Sequence, residues 1–277
     1  MTGKRLIVNA DDYNTDAERN RGIVQAAKEG IVTSVSVIAN LPLIEKDIVQ
    51  LQEVFGARVG VHLNLTRGIP LTPHSRTLAG KDSRFLPKRE AWSRALFRGY
   101  DVEEVKQEFA AQISRLKEAG LSPDHLDGNN HLHVFPGIAE VVAQLANDFQ
   151  ISKIRLPLEP FDTWRQYYSA GVWKKALVGW FAAQARPLFK RCGLRFPDRC
   201  AGIQSPRVCE IESLRTFLRN LPEGSTELMC HPGYPNEPVN AYSTVERQEE
   251  LLALTDWSIG DYIRHSDIKP ISFQDLE

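Results

Sequence analysis

Three of the chain's seven histidines, His125, His131 and His133, fall within nine residues that also hold Asp127, Gly128, Asn129 and Asn130. Imidazoles, a carboxylate and carboxamides at this density are the donor types of a divalent-metal site. Three other polar clusters interrupt apolar runs. Asp11-Asp12 follows Leu6-Ile-Val-Asn-Ala10, His62 and Asn64 alternate with Val61, Leu63 and Leu65, and His231 stands in Met229-Cys-His-Pro-Gly233.

Each cluster has a bland reading beside the chemical one. One carboxylate of Asp11-Asp12 could cap the next helix while the other faces solvent. In the chemical reading one aspartate binds a metal and its neighbour is a base, since two unpaired buried carboxylates are costly. Adjacent strand residues face opposite ways, so the strand must end here for both to reach one site. His62 and Asn64 share a strand face, where a lone histidine would ordinarily be hydrogen-bonded core. Extended, residues 125, 127, 129, 131 and 133 would also share a face, but at ~6.6 Å between alternates they cannot all meet one ion. Asn129 or His131, near the middle, is placed to ligate. Asp127 is placed to orient a ligand ring or to contact substrate, and His133 to bind substrate or a carboxylate. His231, held extended by the following proline, is either a lone surface ring or an acid facing the other clusters.

The elements that must position these residues alternate. Strands are expected at Leu6–Ala10, 33–40, 58–66, 154–157, 227–230 and 270–273, with strand and turn over 125–133. Helices are expected over 16–30, 44–55, 102–119, 138–149, 211–220 and 244–259. This pattern predicts a single α/β domain over 1–277, a distorted TIM-like (β/α) barrel of parallel strands. The four clusters then lie at the C-terminal strand ends, where such folds build their sites. Apolar content of 42%, charged content of 25% and a net charge of −1 are ordinary for a soluble domain and exclude a general pull toward nucleic acid. Cys192, Cys200, Cys209 and Cys230 match no zinc-knuckle spacing, so reduced thiols and a cytoplasmic location are expected.

Together the text NADDYN, GVHLNLT, HLDGNNHLH and MCHPG resembles, in order, the motifs of the YdjC-like carbohydrate deacetylases. The resemblance implies a barrel-like α/β fold, one divalent metal ion and removal of acetyl groups from N-acetylated sugars. It places Asp12 and His62 as ligands. The third ligand does not transfer directly, because many members have a histidine where this chain has Asn129. Asn129 or His131 is left to take that position. The metal's identity stays open among zinc, magnesium, cobalt, nickel and manganese. Asn129-Asn130 resembles the branch associated with hopanoid biosynthesis, which implies a sugar headgroup on a lipid.

A basic, amphipathic stretch over 162–199 bears on that implication. Trp173, Ala176, Leu177, Trp180 and Phe181 recur at helical spacing among lysines and arginines. Such a helix either packs on the barrel or meets an amphiphile or the inner membrane surface, so Trp173 and Trp180 are expected to contact substrate. In the expected mechanism Asp11 is the general base, His231 the acid, and Asn64 or His133 holds the sugar. The rival classes are glycoside hydrolase, phosphoesterase and non-catalytic glycolipid binding.

Overall fold

The computed structural model describes residues 3–73, 75–159, 172–203, 210–236 and 244–277. Strands β1 (Lys4–Tyr13), β2 (Ser34–Val37), β3 (Val59–Leu63), β4 (His125–Gly128), β5 (Lys153–Ile154), β6 (Arg199–Ala201), β7 (Gly224–Cys230) and β8 (Ile268–Ile271) form one sheet. Its order is β5-β4-β3-β2-β1-β7-β6, with β8 beside the first half of β1. Every pairing is parallel. The ends of this path approach each other. Ile154 N–H donates to the Arg195 carbonyl, Arg195 N–H to Ser152, and Cys200 N–H to Leu158. The fold class is the α/β, distorted TIM-like barrel expected from the sequence.

The helices are α1 (Ala17–Lys28), α2 (Glu45–Phe55), α3 (Lys88–Leu96), α4 (Val102–Glu118), α5 (Ile138–Asp148), α6 (Val172–Arg191), α7 (Ile211–Arg219), α8 (Val245–Thr255) and α9 (Trp257–His265). Outward-facing Val8, Ala10, Val35, Val37, Val61, Leu63 and Leu126 pack beneath them in one core. Several elements differ from expectation. The single helix over 244–259 is two, because Asp256 takes an extended conformation and its side chain caps α9 at Ser258 N–H. α3 has no counterpart among the helices expected from the sequence. The 125–133 stretch leaves the strand after Gly128, and Asn130 and His131 turn to φ of 55° and 62°. The five alternating residues therefore do not share one face. Asp162, Arg165 and Cys209 lie outside the described residues.

Unlike the outer face, the inner face of the sheet is polar. Asn9 donates to Ser36 Oγ at 2.8 Å, and Ser36 meets His125 Nε2 at 3.1 Å. The His125 ring lies over Gly60, where an added Cβ would come 2.2 Å from Nε2, and it stacks on Phe273 with ring centres 3.8 Å apart. His125 thus belongs to the floor of the barrel. The next layer toward the C-terminal strand ends carries the chemistry.

Candidate active site

Both aspartates of β1 reach one site without the strand ending at Ala10. The strand continues to Tyr13 through a register irregularity between Ala10 and Tyr13, and Asp12 stands at φ 70°. Aspartate tolerates this left-handed conformation better than most residues, and such irregularities re-aim side chains next to sites.

Asp11 is held by Arg155, which donates to its two carboxylate oxygens at 2.8 and 2.6 Å, and by Asn9 at 2.8 Å. The same guanidinium meets Asp127 Oδ2 at 2.8 Å and Glu227 Oε1 at 2.7 Å. Arg155 is completely buried; burial opposes its charge, but Asp11, Asp127 and Glu227 hold its pKa well above the ordinary value. Asp127 in turn binds His62 Nδ1 at 2.8 Å. Burial works against its charge, yet Arg155 and His62 hold its carboxyl well below the usual range.

Asp12 faces the other way. Arg19 of α1 and Arg247 of α8 both reach its Oδ2 at 3.2 Å, while Oδ1 lies 3.7 Å from His62 Nε2 and accepts from Asn129 Nδ2 at 3.2 Å. Burial raises its pKa, but Arg247, His62 and Arg19 outweigh that and hold the carboxyl well below the usual range. His231, in the loop after β7, brings Nε2 to 3.9 Å from Asp11 Oδ2. That loop rests on α1 so closely that a Cβ at Gly22 would come 2.5 Å from Gly233 Cα. Burial and Arg247 pull the His231 pKa down to about 4.

These groups open into a cleft of about 320 Å³ whose lining includes Asp11, Asp12, His62, Asn129, His131 and His231. Lys88 of α3, Lys174 of α6 and Arg247 add basic side chains to the wall. Burial, then the neighbouring Lys88, lowers the Lys174 pKa to about 8.

The YdjC-like protein model matches residues 5–265. The chain belongs to the YdjC-like family. Among relatives, the carbohydrate deacetylase of Mus musculus is 32% identical over 99% of this chain and 95% of its own. The carbohydrate deacetylase of Clostridium beijerinckii is 29% identical over 98% of this chain and all of its own. A solved structure from Enterococcus faecalis, of a protein named for cellobiose-phosphate cleavage, covers 98% of both chains with a TM-score of 0.78 at 23% identity. That likeness concerns the fold.

Five of the expected site residues sit elsewhere than the cleft lining. Asn64 is buried and braces the following loop, donating to Asn40 Oδ1 and the Arg67 carbonyl at 2.7 Å each and accepting from Thr66 N–H. His133 is completely buried beneath Gly128 and meets the Arg155 carbonyl at 3.1 Å; burial pulls its pKa down to about 4. Trp173 and Trp180 are 83% and 56% exposed and do not line the cleft. Asp127 does not line the cleft but orients the His62 ring, one of the two roles expected of it. Arg155, Glu227, Arg19 and Arg247 were not anticipated. Arg155 and Glu227 carry a signal, each being a charge within a short stretch expected to be a strand; Arg19 and Arg247 read as ordinary surface positions on polar helices.

The donors fit a divalent cation. Among the described residues, Asp11, His62 and Asp127 are the three carboxylate or imidazole groups with ligand atoms within 4.8 Å of one another. An ion at their centre would compete with the Arg155 guanidinium, which already pairs with both carboxylates. The opposite edge of His62 suits a cation better. Nδ1 is engaged by Asp127, as in many ligating histidines, and Nε2 faces Asp12 Oδ1 across 3.7 Å. Two donors each ~2.1 Å from one ion at a tetrahedral angle stand ~3.4 Å apart. Although burial opposes it, Asp127, Asp11 and Asp12 raise the His62 pKa to about 9, so this pocket of carboxylates favours positive charge at that ring. Asn129 turns its nitrogen toward Asp12, while its oxygen accepts from Thr66 and Asn130 at 2.6 Å each. Ligation through that oxygen requires both amides to rotate. His131 lines the cleft with Nδ1 unpartnered, outside the three-residue group.

Proposed function

We propose that the protein is a metal-dependent N-deacetylase of an N-acetylglucosamine-type sugar. The observation that carries this reading is the meeting of a ligand edge, Asp12 Oδ1 and His62 Nε2, with an aspartate–histidine pair, Asp11 and His231, in one cleft. The relatives' names support the same class of reaction.

Asp12 and His62 would hold the divalent ion, with Asn129 or His131 as the third donor. When bound, the ion supplies Lewis acidity at the acetyl carbonyl. Asp11 accepts the proton of the attacking water, and Arg155 keeps its carboxylate fixed in orientation. His231, neutral at pH 7 because burial and Arg247 lower its pKa, is free to take up that proton from Asp11 Oδ2, 3.9 Å away. It then delivers the proton to the departing amine nitrogen, without which the C–N bond breaks poorly. Lys88 and Lys174, which line the same cleft, would contact the bound sugar.

The finer substrate is the acetylated sugar headgroup of a hopanoid glycolipid, supported by the Asn129-Asn130 variant. One observation favours a rival, non-catalytic glycolipid binding: the amide nitrogen of Asn129, rather than its oxygen, faces Asp12. Incubation of metal-loaded protein with N-acetylglucosaminyl substrates, free and lipid-attached, separates the two. Acetate and free amine in equal amounts are expected. Binding without acetate release under any divalent metal would establish the rival.

A further inference from the structure

We infer that the outer face of α6 is a docking surface for an anionic lipid bilayer, seating the cleft beside the membrane. The inference rests on the deacetylase reading for the reaction performed there, but not for the binding itself.

Helix α6 carries Lys174, Lys175, Arg186, Lys190 and Arg191 and no Asp or Glu. One side is anchored. Val178, Phe181, Ala182, Ala185 and Phe189 are buried, Phe181 packs against Phe135 with tilted rings, and buried Lys175 pairs with Glu159 at 3.2 Å. The opposite side bears Trp173 and Trp180, 83% and 56% exposed. Seven residues place them two turns apart, ~10.5 Å, and within ~20° of the same direction. Further along, Arg186, Lys190 and Arg191 are exposed.

Indoles projecting from a helix whose only charges are positive match the chemistry of a membrane–water interface. The rings enter the headgroup layer while the cations meet anionic lipid. A second protein copy would need acidic residues opposite Arg186, Lys190 and Arg191. No described helix is long and apolar enough to cross a bilayer, so the contact lies in the surface plane. The same helix turns Lys174 into the catalytic cleft. One helix thereby links the docking face to the cleft wall, as access to a substrate anchored in the bilayer requires.

The test is co-sedimentation of the full chain with vesicles of phosphatidylcholine alone or mixed equally with phosphatidylglycerol. Binding is expected to the mixed vesicles, falling with added salt, and more than tenfold weaker for both W173S/W180S and R186E/K190E/R191E. Thermal unfolding checks that both variants are folded. No binding to the mixed vesicles, or unchanged binding by both variants, overturns the inference. So does a dimer that W173S/W180S dissociates without any vesicle binding. Acetate release from a soluble acetamido sugar, measured in parallel, separates failure here from failure of the deacetylase reading.

Discussion

Asp11 and Asp12 are neighbours in the chain and opposites in environment. Asp11 belongs to the barrel interior, clamped by Arg155, whose guanidinium also pairs with Asp127 and Glu227. Asp12 belongs to the rim, with one oxygen tied to Arg19 and Arg247 from surrounding helices and the other turned to His62. The rigid interior suits a group that must keep its orientation while gaining and losing a proton. The rim, where one oxygen is tied to two arginines and the other meets, among the described residues, only the Asn129 amide and the His62 ring, suits a ligand. A single backbone irregularity in β1 creates the division.

The largest expected effect lies on the interior side. Arg155→Met leaves three carboxylates buried around an apolar side chain, and removal of one member of such a network costs ~3–5 kcal/mol. Urea unfolding should show that loss; a cost below ~1 kcal/mol would mean that Arg155 does not bind the interior together. Next, Asp127→Asn replaces the acceptor that orients His62 and should weaken retention of a divalent metal by ~10–100-fold, measured by competition with a chelator. Unchanged affinity would detach Asp127 from the rim.

The smallest effect concerns Glu250 of α8, whose carboxyl burial raises to about 7 against the opposing His231 backbone N–H and Arg247. A raised pKa in the folded state means the native protein holds this proton while the unfolded chain releases it. Its effect on stability is therefore unfavourable as pH rises from about 4.5 toward 7. Glu250→Gln should flatten that part of the stability–pH curve, read by thermal unfolding across it. A mutant curve parallel to the wild type would remove Glu250 as the source.

The strand–helix alternation was legible because period and turn residues are local properties, and so were the four polar clusters, which interrupt otherwise apolar strands. What could not be read depends on three-dimensional placement. His133 follows His131 by two residues, yet the left-handed turn at Asn130 and His131 sends it beneath Gly128 instead of into the cleft. Asn64 shares a strand pattern with His62 but lies one residue past β3, where it ties down a loop. Arg19 and Arg247 look like solvated helix positions until α1 and α8 are packed over the barrel mouth. The indoles of α6 follow the periodicity expected of them, but exposure is decided by which side of the helix meets Phe135.

The most direct measurement pairs Asp11→Asn with Asp12→Asn and determines metal content and acetate release for each. If interior and rim divide the work, Asp11→Asn keeps its metal and loses turnover by at least ~10²-fold, whereas Asp12→Asn loses metal and turnover together. Near-normal turnover by Asp11→Asn, or full metal content in Asp12→Asn, would contradict the division.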